Sequence, residues 1–376
     1  MEQSSRSIYR TSTSSGRKQL IPPRFYRAIL RRLLFCFDSE TCHEFAISLG
    51  RLLSASPMGP KLTSTWFQSH GLPEKSLSRK FLGLTFPNPI GLAAGFDKNG
   101  YLLPIASALG FGYIEVGSVT HLPTAGNPRP RMFRLPNRHA LFNRVGLPSE
   151  GAHAVHNRIQ NARTRGLDLP VGINIAKTPD PKISGDAALD DYCNSIRILA
   201  PVADYLALNI SCPNSHDGRT FEAPGALTEL LKAVSADIPH SPPLLLKLGL
   251  GHSRSTYESI FEISENHGIS GYILGNTLPS VQNNISGGLS GQPLRSHALR
   301  VLQWARSTLP RKRTVISCGG IDCFQEARLR CGHGADLLQI YSALVYEGPG
   351  FIPELLQQFS DEMRSPLEPP NDSRSD

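Results

Sequence analysis

The chain has 376 residues, of which 40% are hydrophobic and 19% are charged, a composition typical of a globular protein. A chain of this length buries about three quarters of its unfolded surface, which is enough for one large core. The net charge of +8 does not predict a nucleic-acid interface, because the first 35 residues carry eight Arg and Lys residues against Glu2 alone. The basic excess belongs to the N-terminus, and we expect no nucleic-acid partner.

The sequence also argues against a membrane span and a metal site. No stretch approaches the ~18 apolar residues needed to cross a bilayer, so we expect any membrane contact to be peripheral. The seven cysteines form no CxxC pair and no Cys/His spacing typical of a metal site. We therefore expect no bound metal and reduced thiols.

The N-terminal region divides into a tail and a helical segment. Residues 1–21 are rich in Ser, Thr, Arg and Lys, which predicts a disordered basic tail, although a transit peptide has the same composition. Apolar residues then recur with helical spacing over 22–56 and form one apolar stripe on each of two predicted helices. Arginines lie on the opposite side of the first helix, and Asp38 is placed to cap the second. This amphipathic helix pair either packs on the rest of the protein or docks on a membrane surface.

Eight short apolar runs, separated by segments of helical periodicity, divide most of the remaining chain. Buried strands that alternate with helices predict a parallel (β/α)8 TIM barrel, which we place at 78–360, followed by a polar tail at 365–376. The runs are Pro89–Gly95, Gly112–Val119, Val171–Ile175, Tyr205–Ile210, Leu244–Leu248, Gly271–Leu274, Val315–Cys318 and Leu337–Tyr341.

A polar residue or a glycine stands at or just after the end of each run. The carboxyl ends of all barrel strands open on one face, so we expect these residues to converge on one pocket. A polar turn would explain any one of them, but it explains two lysines and three asparagines together poorly. They are Lys98, Ser118, Asn174, Asn209, Lys247, Asn276, Gly320 and Ser342.

Three segments around the last two strands contain glycines, a serine or both. They are Gly287–Gly291, Cys318–Ile321 and Tyr341–Ser342. Barrels commonly bind phosphate in this sector on backbone N–H groups and a helix N-terminus. With Lys98 and Lys247 deeper in the pocket, the segments indicate one flavin mononucleotide (FMN) per subunit, since a lysine beside the ring stabilises the charge of the reduced flavin.

The most specific motifs are Arg24–Leu53, Gly91–Gly100, Gly112–Thr120, Asn143–Gly146, Asn209–Asn214, Gly287–Gly291 and Gln339–Ser342. On these segments the chain resembles the dihydroorotate dehydrogenase family, in its quinone-using, membrane-associated class. The resemblance implies FMN-dependent oxidation of (S)-dihydroorotate to orotate in de novo pyrimidine (UMP) biosynthesis. It also implies that the electrons leave through ubiquinone or menaquinone, bound in a tunnel under the helix pair.

The resemblance assigns site residues position by position, and asparagines suit a planar substrate because their amides both donate and accept hydrogen bonds. It places the catalytic base at Cys212. It places FMN contacts at Ala94, Gly95, Phe96, Asp97, Lys98, Ser118, Asn174, Asn209, Lys247, Gly275, Gly288, Gly320, Tyr341 and Ser342. It places substrate contacts at Lys98, Asn143, Arg144, Val145, Gly146, Leu147, Asn209, Asn214, Asn276 and Thr277.

The base departs from the pattern of the class. Quinone-using members typically have serine where this chain has Cys212, whereas the soluble classes have cysteine. A thiol, with a reference pKa near 8.5, can take the C5 proton close to neutral pH, whereas a serine needs a relay of partners. An inert buried thiol is the alternative interpretation, although its place between Asn209 and Asn214 favours catalysis.

Three further departures surround the expected pocket. Leu147 and Pro148 stand where the family has Phe-Asn, which removes an aromatic wall and an N–H donor. Ala176–Asp180 lacks the usual glycine-lysine-asparagine run, and Lys247–Gly251 lacks the usual proline and acidic turn. These changes, near the mouth of the pocket, predict either an altered substrate affinity or a different substrate.

Two other functions remain open at this stage. Cys212 would suit a soluble FMN dehydrogenase that passes electrons to fumarate or NAD, but the helix pair argues against it. A non-catalytic FMN-binding relative is the second alternative. We expect a monomer at the cytoplasmic side of a bacterial inner membrane, or alternatively at the mitochondrial inner membrane.

Overall fold

The computed structural model describes residues 21–67, 75–211, 221–237 and 242–364. The predicted tails fall outside this part of the chain, apart from Ile21. The α-helices are α1 Pro23–Phe25, α2 Arg31–Phe35, α3 Ser39–Ala55, α4 Gly59–Phe67, α5 Leu103–Ala106, α6 Ala152–Thr164, α7 Asp186–Leu199, α8 Pro224–Asp237, α9 Arg254–Glu265, α10 Arg295–Thr308, α11 Phe324–Gly332, α12 Ser342–Glu347 and α13 Phe351–Arg364. The strands are β1 Arg79–Phe81, β2 Leu84–Phe86, β3 Ile90–Leu92, β4 Tyr113–Val119, β5 Met132–Leu135, β6 Ala140–Asn143, β7 Val171–Ile175, β8 Tyr205–Asn209, β9 Leu244–Leu248, β10 Gly271–Leu274, β11 Leu278–Gln282, β12 Ile285–Gly291, β13 Thr314–Cys318 and β14 Leu337–Ile340.

The N-terminal helices form where the apolar stripes predict them. A π-helical turn, Tyr26–Leu30, joins α1 to α2, and the Asp38 carboxylate accepts the Thr41 N–H at 2.9 Å to cap α3. Helix α4 follows the predicted pair and packs against α3; the sequence did not suggest it. Gly50 of α3 is buried and leaves no room for a side chain, because a Cβ there would lie 2.2 Å from the Leu102 side chain.

These helices expose large apolar side chains that a core would normally bury. None of the helices in the described ranges is both long and apolar enough to span a bilayer. The N-terminal helices therefore present apolar side chains to solvent. A large exposed apolar patch is uncommon on a monomeric soluble protein and typically marks a site of interaction. The exposed residues are Phe25, Ile29, Leu33, Phe37, Phe45, Leu49, Leu52, Met58 and Leu62.

Eight parallel strands close into a barrel in the order β3-β4-β7-β8-β9-β10-β13-β14. Each of the eight predicted apolar runs supplies one of these strands, so the predicted fold is confirmed. Two tyrosine rings fill part of the barrel interior, and glycines on neighbouring strands make room for them. A Cβ at Gly91 would lie 2.2 Å from the Tyr113 ring, and one at Gly172 would lie 2.0 Å from the Tyr205 ring.

The hairpin β1–β2 closes the bottom of the barrel. Phe86 of β2 is fully buried and packs edge-on against Tyr113, the first residue of β4, with ring centroids 5.3 Å apart. Because Tyr113 begins its strand, this contact marks the amino end of the barrel. The opposite, carboxyl end is free to hold a site.

A four-stranded antiparallel sheet, β11-β12-β6-β5, covers the carboxyl end. The sequence did not predict this covering sheet. Within it, Gly287–Gly291 belongs to β12 and pairs with β6 and β11. Gly287 has no side chain for a steric reason, since a Cβ there would lie 2.6 Å from the Phe142 ring.

Candidate active site

A cavity of about 1150 Å³ lies between the carboxyl ends of the barrel strands and the covering sheet. Its size suits a cofactor together with a small substrate. The structure brings most of the predicted site residues to its wall. Those that line the cavity are Ala94, Gly95, Lys98, Ser118, Asn143, Arg144, Val145, Gly146, Leu147, Asn209, Lys247, Gly275, Asn276, Thr277, Gly288, Gly320, Tyr341 and Ser342.

Three predicted flavin residues lie behind the wall. Phe96 packs edge-on against Tyr341, with ring centroids 5.4 Å apart. Asp97 is buried, and its carboxylate accepts the N–H groups of residues 100–102, so it holds the turn that follows β3. Asn174 is fully buried and donates to Glu115 at 3.0 Å. Cys212 and Asn214 lie outside the described residues.

Glu115 is the centre of a polar network that sequence reasoning missed. This carboxylate is fully buried in β4 and lies 3.2 Å from Lys247 Nζ. It also accepts hydrogen bonds from the Tyr205 hydroxyl at 3.1 Å and from Gln339 Nε2 at 2.6 Å. A buried carboxylate is stable only when it is paired and fully hydrogen-bonded, so this network fixes Lys247 beneath the cavity. The available signal was an acidic residue inside an otherwise apolar strand.

Lys98 is the second cationic group of the site. It lines the cavity and is half-buried, and its burial, with a further contribution from the positive charge of Arg131, lowers its pKa to about 8. Arg131 is buried and paired with Glu40 of α3 at 2.8 Å. Lys98 is therefore mostly protonated at neutral pH and can hold an anionic group.

The amides at the ends of β8 and β10 are linked through serines. Asn209 Nδ2 donates to Ser118 Oγ at 3.1 Å, and Asn209 Oδ1 accepts from Ser211 Oγ at 3.1 Å. Asn276 Nδ2 donates to the same Ser211 Oγ at 2.8 Å. These contacts fix the orientation of both amides in the cavity wall, where a ligand with amide groups can exchange hydrogen bonds with them.

The segment after β6 borders the cavity in a constrained conformation. Gly146 has a φ of +75°, and a Cβ there would lie 2.5 Å from the Asn127 side chain, so glycine is required. Leu147 also adopts a positive φ, +56°, which is uncommon for a residue with a side chain. The Asn127 amide donates to the Arg144 carbonyl at 2.7 Å and holds the segment in place.

The cavity has features that fit a flavin. Glycine backbones approach it where a side chain could not: a Cβ at Gly275 would lie 2.1 Å from the Cys318 carbonyl oxygen, and one at Gly288 would lie 2.1 Å from Thr277 Oγ1. Gln339 Oε1 is buried and has no hydrogen-bond partner among the described residues, so a ring N–H can satisfy it.

The fold and the site thus define a TIM barrel with a covered, amide-lined cavity. The family profile of dihydroorotate dehydrogenase matches residues 76–363, and the chain belongs to that family, whose members are flavin-dependent in general. A dihydroorotate dehydrogenase (quinone) from Chloroflexus aurantiacus is 37% identical over 345 residues, which cover 86% of this chain and 93% of the relative. The enzyme of the same name from Clavibacter michiganensis is 38% identical over 340 residues, 87% of this chain and 94% of the relative.

Solved structures support the same assignment. DHODH from Eimeria tenella in complex with ferulenol superimposes with a TM-score of 0.77 at 27% identity, over 86% of this chain and 90% of that one. The ligand-free form from the same organism gives a TM-score of 0.74 over 83% of this chain.

Proposed function

We propose that this protein oxidises (S)-dihydroorotate to orotate with FMN as cofactor and a quinone as electron acceptor, in de novo pyrimidine biosynthesis. The observation that carries the proposal is the convergence of Lys98 and the amides of Asn143, Asn209 and Asn276 on one cavity with glycine-lined approaches. The resemblance to quinone-dependent relatives over most of the chain supports the choice of acceptor.

The cavity wall offers a distinct part for each portion of FMN. Lys247, held by Glu115, would lie beside the ring and stabilise the negative charge of the reduced form. Gly320, with a φ of +75°, and Ser342, the first residue of α12, would bind the phosphate. Arg295 is paired with Asp322, so its charge is already compensated. When bound, the flavin supplies an acceptor for the hydride that leaves the substrate.

The substrate would lie on the amide-lined part of the wall. Lys98 pairs with its carboxylate, while Asn143, Asn209 and Asn276 exchange hydrogen bonds with its ring amides. The backbone of Gly146 and Leu147 closes one edge.

Proton removal is assigned to Cys212, as the thiolate. A thiol of ordinary pKa is a few per cent ionised at neutral pH, so some group must favour its ionisation. Ser211, which precedes Cys212 in the chain, lines the cavity, and Asn209 fixes it in place.

The N-terminal helices would form the quinone entrance. Arg134 lies 4.6 Å from the Phe35 ring centroid and donates to carbonyl groups of residues 34 and 37. From α3, His43 packs edge-on against Phe96, which in turn contacts Tyr341 at the cavity. Aromatic contacts thus run from the helices to the flavin site. The exposed apolar surface of these helices supports peripheral contact with a membrane. We place the protein there as a monomer, at a bacterial inner membrane on its cytoplasmic side or at the mitochondrial inner membrane.

One experiment tests cofactor, substrate and acceptor in turn. The purified protein should be yellow, should release FMN on denaturation and should bleach when dihydroorotate is added without oxygen. A short-chain quinone should then restore the colour rapidly, whereas fumarate or NAD should not. Finding FAD or no flavin after reconstitution would refute the cofactor, and failure to bleach would refute the substrate. Reoxidation by fumarate or NAD would favour the soluble-acceptor alternative.

A further inference from the structure

The buried carboxylate of Glu115 carries a charge whose effect extends beyond holding Lys247 in place. Its Oε1 lies 3.2 Å from Lys247 Nζ and 3.0 Å from Asn174 Nδ2. Its Oε2 lies 3.1 Å from the Tyr205 hydroxyl and 2.6 Å from Gln339 Nε2. All four partners donate a hydrogen bond. A protonated carboxyl would set its own O–H against one of these donors, so Glu115 is ionised.

The two charges of the Glu115–Lys247 pair lie at different depths. Lys247 and Gln339 line the cavity, whereas Glu115 is fully buried and is not among the described residues of the cavity wall. The lysine therefore lies between the carboxylate and the cavity. A ligand in the cavity meets the positive end of the pair first and the negative end behind it.

The other titratable groups around the pair are neutral. Burial, with a further contribution from the Glu115 charge, raises the pKa of Tyr205 and of Tyr113 well above the ordinary value, so both hydroxyls keep their protons. Burial also raises the pKa of the Cys318 thiol at the end of β13. Among the described residues in contact with the pair, no third charge adds to those of Glu115 and Lys247.

We propose that Glu115 lowers the reduction potential of the bound flavin by offsetting the charge of Lys247. The inference rests on the FMN site of the proposed function. A flavin ring that takes up two electrons and one proton gains one negative charge, which Lys247 attracts and Glu115 repels. A lysine without a counter-ion would favour the reduced ring more strongly, and the electrons would pass less readily to the quinone. Glu115 is thus a positioning residue, which acts on the flavin through Lys247.

The enclosed position of the pair makes its effect on the flavin measurable. Salt screens buried charges much less than exposed ones, and the effective dielectric constant inside a protein is well below that of water. A neutral amide at position 115 removes the repulsion and should favour the reduced over the oxidised flavin about tenfold. For a two-electron couple, a tenfold change corresponds to about 30 mV.

The test is the reduction potential of the bound flavin, measured by photoreduction with a reference dye at about pH 6.5. Dihydroorotate is not used, so the measurement requires only that FMN binds. At this pH Lys98, whose pKa is about 8, is protonated in every variant. Glu115→Gln should raise the potential by about 30 mV. Gln339 Oε1 has no partner in the described part of the chain and can accept the new amide N–H once the Gln339 amide turns over, so the contacts of residue 115 are kept.

An exchange variant gives the opposite shift. Glu115→Gln combined with Gln339→Glu keeps the number of buried charges and moves the carboxylate from behind Lys247 to a residue of the cavity wall. The carboxylate then lies closer to the flavin, so the potential should fall below that of the wild type. Tyr205→Phe is the control, because it removes one hydrogen bond from the carboxylate and keeps both charges. It should leave the potential unchanged.

The outcomes separate this inference from the function on which it rests. A wild-type protein that binds no FMN would refute the proposed function itself. If the wild type binds FMN and both charge variants keep its potential, the inference is wrong. Shifts of the same sign in both charge variants, or an equal shift in Tyr205→Phe, would assign the effect to disturbed packing and overturn the inference as well. If Glu115→Gln does not fold, the exchange variant decides, since a lower potential supports the inference and an unchanged one contradicts it.

Discussion

Glu115 Oε1 lies 3.2 Å from Lys247 Nζ inside the barrel, where the carboxylate is fully buried and the lysine side chain is 6% exposed. Removing one partner of such a pair leaves a buried charge without compensation. Glu115→Gln and Lys247→Met should each lower the free energy of unfolding by about 3 kcal/mol. The double variant should lose at least about 1 kcal/mol less than the sum, because neither charge remains. Urea unfolding of the four proteins measures this coupling, and strictly additive losses would show that the pair does not interact.

Lys98 should make substrate affinity depend on pH. Its pKa is lowered to about 8, so the folded protein loses this positive charge as the pH rises through that value. Orotate, an anion, should therefore bind with a dissociation constant that is constant below pH 7 and increases by up to about tenfold per pH unit above pH 8. Spectral titration of the flavin gives these constants. Lys98→Arg, which stays protonated, should show weaker but pH-independent binding, and a similar rise in that variant would exclude Lys98 as the titrating group.

Gly320 should tolerate no side chain. Its φ is +75°, and a Cβ there would lie 2.8 Å from the backbone nitrogen of Arg295. Gly320→Ala should combine the cost of the left-handed backbone with this clash and should lose FMN on purification. Gly166 has a φ of +89° with nothing within 4 Å, so Gly166→Ala should cost only about 1 kcal/mol and keep its flavin. Equal flavin content in the two variants would contradict the proposed role of Gly320 in binding the FMN phosphate.

Cys212 should be needed for chemistry but not for binding. Cys212→Ala should retain FMN and bind orotate, and it should reduce the flavin at least about 10²-fold more slowly, as expected for a lost general base. Cys212→Ser should keep partial activity with a changed pH profile, because the ionising group is no longer a thiol. If the alanine variant reduces the flavin at the wild-type rate while chemistry is rate-limiting, Cys212 is not the base.

The exposed apolar residues of the N-terminal helices should bind a lipid surface. Leu33 and Leu52 are 58% and 69% exposed, so changing either to glutamate should hardly alter stability. Each change should weaken binding to phospholipid vesicles about tenfold, because burying a leucine stabilises by about 1.5 kcal/mol or more. Leu329 of α11 is 38% exposed on another part of the surface, and Leu329→Glu is the matched control. Unchanged sedimentation with vesicles would show that the helices serve another purpose.

The sequence predicted the barrel well because its strands are buried on both faces and form continuous apolar runs. The covering sheet escaped prediction, since strands such as β11 are only half-buried and β12 is rich in glycine. Glu115 was missed because its partners, Asn174, Tyr205, Lys247 and Gln339, are far away in the sequence. Asp97 and Phe96 were assigned to the flavin by resemblance. In the structure the Asp97 carboxylate accepts backbone N–H groups of the turn after β3, and Phe96 packs against Tyr341 behind the cavity wall.

The covering sheet and the barrel below it come from separate stretches of chain. Strands β5 and β6 lie between β4 and β7, and β11 and β12 lie between β10 and β13, so none of them takes part in barrel closure. Apart from Gly288 of β12, which borders the flavin part of the cavity, mutations in these insertions can accumulate without disturbing the barrel strand ends that would carry the cofactor. Leu147 and Pro148 follow β6 in one of them. Substrate preference can therefore evolve, or be redesigned in the laboratory, independently of the flavin chemistry.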